Sequence, residues 1–265
     1  MAILSIITIT FNAEHVLRRT LRSVQEALRE SGLHASDVEY LLIDGASMDA
    51  TRSVAQAFGD MLTSIVSEPD EGLYDAMNKG LRLATGTYVW FLNAGDELYS
   101  TTAFRELLDA LATGVDIVYS DAMYVDEAGR ELGLRSVLTP HRLPPRLTWR
   151  TLALGMKVCH QAFVVRRAIA PYYWVNNLSA DVDWQIRCLK QADSVRRLAT
   201  PLCRYLIGGL SVQKHRQSLV DRYRVLRQHF GFWPNLLNHV QILVRAGVFW
   251  GKKRLTDAAS HRGAA

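Results

Sequence analysis

From Ile3 to Phe11 the chain is a run of mostly β-branched and apolar residues, and after Asn12 the positions Leu17, Leu21, Val24 and Leu28 fall on one face of a helix. The first pattern predicts a strand and the second a helix, with Asn12 as its N-cap. Val38 to Ile43 is a second strand, stopped by Asp44-Gly45; Thr51 to Phe58 reads as helix and Met61 to Val66 as a third strand. Tyr74 to Ala84 carries Met77, Leu81 and Ala84 on one side of a helix, which Gly86 ends before a fourth strand, Tyr88 to Leu92. Strands alternating with helices in this way predict an α/β fold whose mostly parallel sheet is covered on both faces. Ligands of such sheets bind outside the carboxyl ends of the strands. Polar residues gather at those ends: Asn12 after the first strand, Asp44 after the second, Glu68 and Asp70 after the third, Asn93 to Asp96 after the fourth.

Beyond Asp96 the pattern changes. Asp116 to Val125, followed by Asp126-Glu127-Ala128-Gly129-Arg130, predicts a strand leading into a hairpin. Residues 136–158 are rich in Pro and Arg and predict surface loop; Gln161 to Val165 predicts a short strand, Asp183 to Gln191 a helix, and Val195 to Leu206 one or two more strands. After Gly208-Gly209 the chain is helical and basic, which divides it into a sheet domain over residues 1–210 and a helical region over 211–265.

Of the 265 residues 49% are hydrophobic, ample for a core, and no apolar run approaches the roughly 20 residues of a membrane span. No export signal opens the chain, and Cys159, Cys188 and Cys203 are odd in number and widely spaced, so the sequence predicts reduced thiols in a cytoplasmic protein. The net charge of +5 hides an asymmetry: residues 1–96 hold 7 Lys+Arg and 13 Asp+Glu, and the remainder 24 and 13. The first part suits a cation-assisted site and the second an anionic partner.

Neither common glycine cradle for phosphates is present. No Gly-x-Gly-x-x-Gly follows the first strand, where the chain reads Ile9-Thr10-Phe11-Asn12-Ala13, and no Gly-x4-Gly-Lys-Ser/Thr occurs anywhere. Carboxylates at successive strand ends point instead to a nucleoside diphosphate held through a divalent cation. Four blocks in order, Ser5 to Asn12, Asp44 to Thr51, Ser67 to Gly80 and Phe91 to Asp96, resemble family 2 glycosyltransferases, with the nearest likeness to the bacterial exopolysaccharide, colanic-acid type. The likeness runs over about residues 3–212.

That resemblance implies a GT-A fold with a helical C-terminal appendage, a sugar-nucleotide donor, Mn2+ or Mg2+ as cofactor, and transfer with inversion. Carried over residue by residue, it places Thr10, Asn12, Asp44, Asp70, Asn78, Lys79 and Asn93 around the donor, with Asp44 at the base edge. Where relatives often carry two or three acidic residues, this chain reads Asn93-Ala94-Gly95-Asp96, leaving Asp96 as the lone metal-motif carboxylate. One carboxylate suffices when diphosphate and water complete the shell. Direct displacement at an anomeric carbon needs a base for the acceptor hydroxyl. Asp181, in Ser179-Ala180-Asp181-Val182-Asp183-Trp184, aligns with that base; His160, Gln161 and Asp183 fall on the acceptor side. The processive signature Gln-x-x-Arg-Trp is absent after Trp184, which implies one sugar per encounter.

The implied acceptor is a saccharide, free or linked to polyprenyl diphosphate. From residue 214 to 265 there are ten Lys+Arg and two Asp+Glu, and Leu236, Leu237, Val240, Leu243, Val244 and Val248 recur at helical spacing before Phe249-Trp250 and Lys252-Lys253-Arg254. An apolar stripe with an interfacial Trp and a basic cluster predicts a helix lying on an anionic membrane surface. No nucleic-acid module is recognised, so nucleic acid is not expected as a partner. The rival reading is a non-catalytic sugar-nucleotide-binding or scaffold protein, encouraged by the depleted metal motif.

Overall fold

A computed structural model of the chain describes residues 2–32, 37–208 and 214–262. The core strand β1 (Leu4–Thr10) is buried along its whole length, between β2 (Val38–Asp44) and β4 (Tyr88–Phe91), and pairs with both in parallel. A strand covered on both faces has no polar side to show, which is why these runs are apolar rather than alternating. The large sheet adds β3 (Ser64–Ser67) beside β2 at one edge; past β4 it continues with β9 (Phe163–Arg166), β6 (Ile117–Tyr119) and β10 (Val195–Arg197). Only β9 runs antiparallel to its neighbours among these seven strands.

Helix α1 (Glu14–Ser31) turns Leu17, Leu21, Val24 and Ala27 into the core, and Gly32, with φ 70°, ends it in the left-handed form that favours glycine. Helix α2 (Thr51–Gln56) is short and gives way to a 3-10 turn at Gly59–Met61, so the third strand starts at Ser64, three residues later than the sequence predicts. Helix α3 (Leu73–Leu83) packs on β1 and β2. Between β4 and β6 lie the two-residue strand β5 (Glu97–Leu98) and α4 (Thr101–Ala112), whose N-cap Ser100 accepts a hydrogen bond from the Ala103 N–H at 3.1 Å.

The run Asp116 to Val125 is not one strand. It breaks at Ser120-Asp121, where the chain leaves the large sheet and enters a second sheet of order β5, β11 (Cys203–Leu206), β7 (Ala122–Val125), β8 (Glu131–Leu134). The predicted hairpin is β7–β8. The Pro- and Arg-rich stretch holds a single turn, α5 (Arg135–Leu138), and a 3-10 segment at Trp149–Leu154. Helix α6 (Ala180–Gln191) follows β9, and α7 (His215–Phe230) packs on it. Helix α8 (Phe232–Arg262) begins after Gly231 and packs against α7 and the 3-10 segment. The predicted domain boundary at residue 210 lies outside the described residues.

Helix α3 sits close on β1 at Gly80, where an added Cβ would lie 2.5 Å from the Ile7 Cγ2 methyl. Two effects oppose each other there. Gly to Ala inside a helix gains roughly 1 kcal/mol from propensity, while overpacking a filled core costs about 1–3 kcal/mol. Ile7 is fully buried and β-branched, so it cannot swing away. Gly80→Ala is expected to lower unfolding free energy in a urea titration, by up to about 2 kcal/mol; a gain would mean the helix moves off the sheet without cost.

Candidate functional site

At the carboxyl ends of β1, β2 and β3 one loop draws several polar residues together. The Gly45 N–H donates to the Thr10 carbonyl at 2.9 Å, holding the first two strand ends side by side. Asp44 is fully buried, and its carboxylate accepts from the Ser47 N–H (3.0 Å), the Ser47 hydroxyl (2.5 Å) and the Ser67 hydroxyl (2.6 Å). Three of about four acceptor positions on that carboxylate are thus filled by its own surroundings. Asp70 closes over the same loop, where a Cβ at Gly45 would collide with its carboxylate. Thr10 is buried there and its hydroxyl has no partner.

Asn12 does not cap α1. Its φ is 46°, a left-handed conformation that Asn tolerates, and the helix starts after Ala13 without a side-chain cap. Asn12 instead clasps the loop: its N–H donates to the Ser47 hydroxyl at 2.7 Å and its Oδ1 accepts from the Met48 N–H at 3.0 Å. Ala46, with φ 59°, is strained by roughly 1–2 kcal/mol. Beside the loop Phe11 and Met48 stand exposed.

Two predicted donor residues are engaged with the protein itself. The Lys79 ammonium pairs with Glu68 (3.0 Å) and Asp75 (3.6 Å) and donates to the Pro69 carbonyl (2.6 Å), tying α3 to the loop before it. Asn78 is buried and reads the backbone of Tyr173 in both directions, donating to its carbonyl (3.0 Å) and accepting from its N–H (2.7 Å). This differs from the sequence expectation, because both ends of the amide are consumed.

A cleft of about 1000 Å3 collects the remaining candidates: Asn93 and Asp96 from the end of β4, His160 and Gln161 from a 3-10 turn, and Asp181 from the start of α6. Asp96 is buried, its Oδ1 accepts from the Leu206 N–H at 3.0 Å, and burial pushes its carboxyl well above the usual range. Asp181 is half-buried in the first turn of α6, where its Oδ1 accepts from the Val182 N–H at 2.8 Å. Burial raises its carboxyl, and the Arg222 guanidinium and the Tyr74 hydroxyl hold back part of that rise. His160 bonds the Tyr173 hydroxyl through Nε2 at 2.7 Å, while its buried Nδ1 has no partner. Burial holds the imidazole down at about 3, so it is neutral at pH 7. Its ring lies among Phe91, Tyr173 and Trp184, with Tyr173 and Trp184 stacked at 4.9 Å.

Asp183 does not join the cleft. It is fully buried and held by Arg187 (2.6 Å) and by His229 of α7 (2.7 Å), so it fastens two helices together instead of facing an acceptor. Among the described residues no three His, Cys, Asp or Glu side chains form a metal cage. A cation that also binds phosphate oxygens does not need one. The Asn93 Oδ1 is buried without a partner in the same cleft as Asp96, and an orphan acceptor beside a buried carboxylate fits a hard divalent cation.

The profile of the family described as Glycosyl transferase family 2 matches residues 5–172. The chain belongs to that family. This glycosyltransferase is 29% identical over 274 residues to the PGL/p-HBAD biosynthesis glycosyltransferase of Mycobacterium bovis, covering 94% of this chain and 98% of that protein. Among solved structures it is similar in fold to S. aureus TarS 1-349 in complex with UDP-GlcNAc, with a TM-score of 0.66 at 17% identity over 85% of this chain and 65% of that one. The match thus spans about two thirds of that 1-349 chain. It is similar as well to the mannosyltransferase PcManGT from Pyrobaculum calidifontis in complex with GDP-Man and Mn2+, with a TM-score of 0.63 at 15% identity over 98% of this chain and 79% of that one. These likenesses establish the GT-A fold.

Several side chains that line the glycosyltransferase's cleft lie outside the motif blocks: Tyr124, Tyr205, Arg135 and Arg222. Tyr173, which organises His160, Asn78 and Trp184, was marked in the sequence only by its aromatic neighbours Tyr172 and Trp174. Because Asn78 serves Tyr173, Asn78→Ala leaves a buried backbone N–H and C=O unpaired. Thermal or urea unfolding should register a loss of about 1–3 kcal/mol, with the KM for the donor nearly unchanged. A large rise in donor KM at full stability would return Asn78 to the donor site.

Proposed function

We propose that this enzyme moves one sugar from a nucleoside-diphosphate donor to a hydroxyl of a saccharide or lipid-linked saccharide acceptor, with inversion. The observation that carries the reading is the cleft in which Asn93, Asp96, His160, Gln161 and Asp181, drawn from three separate elements, face one volume of about 1000 Å3. That volume is at the upper end of ordinary ligand pockets, as a sugar nucleotide with part of an acceptor requires. Thr10, Asn12, Asp44 and Asp70 shape the loop where the nucleoside end of the donor rests, and the unpartnered Thr10 hydroxyl is free to bond it.

Asp181 is the general base. It takes the proton from the acceptor hydroxyl as that oxygen attacks the anomeric carbon and the bond to the leaving diphosphate breaks. Its burial suits the role, since a carboxylate raised toward the working pH is a better base than a solvated one. His160, neutral and packed among rings, lines the acceptor side of the cleft, and its buried Nδ1 has no partner. Asp96 and Asn93 would hold Mn2+ or Mg2+, which supplies charge neutralisation for the leaving diphosphate. Incubation of the protein with a panel of sugar nucleotides, with and without Mn2+, tests the reading. Cation-dependent donor hydrolysis separates an enzyme from a sugar-nucleotide-binding scaffold, which would bind and leave the donor intact.

The exopolysaccharide-type assignment and attachment to a membrane belong to this proposal. No helix among the described residues is long and apolar enough to cross a membrane. Helix α8 nonetheless leaves Trp233, Leu237, Val240, Leu243, Val244 and Val248 more than half exposed. Arg224 and Arg227 of α7 are also exposed, Arg227 over the ring of Phe232 at the start of α8; the side chains of Lys252, Lys253 and Arg254 lie outside the described residues. Apolar residues spaced along one exposed helix beside cations suit an anionic lipid surface.

Asp96→Ala should abolish transfer and cation-dependent hydrolysis while the circular dichroism spectrum stays native; full turnover in that variant would misplace the cation. Asp181→Asn should keep donor binding and lower kcat by about 10² or more. In the wild type, rate should fall as pH drops through a value above the ordinary carboxylate range, and this acid limb should vanish in Asp181→Asn. Leu237→Ser/Val240→Ser/Val244→Ser should lose at least about tenfold of its sedimentation with phosphatidylglycerol vesicles, with donor hydrolysis retained; equal binding by both proteins would remove α8 from the membrane.

A further inference from the structure

Against the cleft stands a group of cations that the proposed reaction does not use. Arg135 and Arg222 line it, with His141 between them in the chain, and Lys157 and Arg245 lie close enough that their charges act on these groups. Arg135 is 7% exposed and spends its guanidinium on the carbonyls of Met156 and Lys157, both at 3.0 Å. Arg245 donates to the Leu154 carbonyl at 3.0 Å, and its Nε, like the Nε of Arg222, is buried without a partner. No ion pair joins Arg135, Lys157, Arg222 or Arg245 to a carboxylate among the described residues, although Asp181 acts on Arg222 from a distance. Asp126, also on the cleft, is taken by Arg130. The crowding has a measurable consequence. Burial and the neighbouring cations push Lys157 down to about 8, and burial with the same cations drives His141 down to about 2, so the imidazole adds no charge.

Cations withdrawn from water without counter-ions are costly, and proteins retain them where an anion completes the arrangement. We propose that Arg135, Lys157, Arg222 and Arg245 form the seat for a phosphate group carried by the acceptor. This rests on the cleft being the place of glycosyl transfer. The donor's diphosphate is not the natural occupant. In a direct displacement the base faces away from the leaving group, and this cluster is coupled to the base, Asp181, through Arg222. A second basic pocket, of about 450 Å3 beside Arg18, Arg19, Arg22 and Arg204, is a weaker candidate because Arg204 is already paired with Glu131 at 3.0 Å and Glu97 acts on both Arg19 and Arg204.

The probe is phenyl phosphate, followed by ligand-observed NMR on the full chain saturated with Mg2+ and with UDP or GDP, whichever the hydrolysis screen selects. Binding should persist with the nucleotide in place and weaken by about tenfold or more in Lys157→Gln and in Arg222→Gln. Arg222→Lys should recover most of it, and Arg18→Gln/Arg22→Gln should bind like the wild type. Farnesyl phosphate binding well above phenyl phosphate would assign the anion to a lipid-linked acceptor, and equal binding to a soluble one. Displacement of phenyl phosphate by the nucleotide, or undiminished binding by folded Lys157→Gln and Arg222→Gln, would overturn the seat. Donor hydrolysis is measured on the wild type in parallel: its presence without phosphate binding rejects the seat alone, whereas its absence rejects the transfer reading.

Discussion

The cleft depends on a seam between two sheets, and one hydrogen bond crosses that seam at the point where chemistry is expected. Asp96 ends the segment after β4 of the large sheet, and the Leu206 N–H that it accepts belongs to β11 of the small one. Gly95, with φ 98°, makes the turn that points Asp96 inward, and its N–H is held by the Thr20 hydroxyl of α1 at 2.9 Å. A side chain at Gly95 would meet Leu206 at 2.9 Å, so glycine there allows the second sheet to come this near. The same closeness buries Asp96 and favours its neutral form. A divalent cation inverts that preference, because it is the largest local charge wherever it binds.

Much of the large sheet was legible because its central strands are buried on both faces and its helices on one; the periods of β1, α1, β2 and α3 survive in the sequence almost to the residue. Failures came where tertiary context decided. Asn12 has the composition of an N-cap, yet the loop of Ser47 and Met48 claims its bonding groups. The run Asp116 to Val125 is interrupted inside only by the polar pair Ser120-Asp121, and nothing in its period announces that this pair would switch it between sheets. Helix α4 was readable and passed over: Ser100 caps it, and Phe104, Leu107 and Leu111 are buried at helical spacing.

The candidate site divides in the same way. Asp96 was legible because motif and strand end coincide, and Asp181, His160 and Gln161 because each lies in a motif-like segment; the structure brings all four to one cleft. Asp183 was misplaced because two acidic residues in one helical turn look alike in sequence, whereas a step of two residues turns the side chain by about 200° around a helix of 3.6 residues per turn. That turn takes Asp183 to Arg187 and His229 and leaves Asp181 at the cleft. Arg135 and Arg222 could not be singled out among the many arginines of the second half, since only burial distinguishes them.

The charge asymmetry of the chain thereby acquires a physical location. The acidic first part supplies the Asn93–Asp96 side of the cleft, where positive charge is wanted, and the basic remainder supplies Arg135 and Arg222, where negative charge is wanted. Asp181 is the exception, a carboxylate set near a guanidinium. Burial raises it against Arg222 and the hydrogen bonds from Val182 and Tyr74, and burial outweighs them, since the net displacement is upward. An anion on Arg222 would offset the guanidinium and weaken the one influence that holds Asp181 down by charge. The base would then be strongest when an acceptor phosphate is seated and its hydroxyl is in reach, and weaker in the empty cleft, where water is the only nucleophile. Charge placement alone would in this way favour transfer over donor hydrolysis, without any movement of the fold.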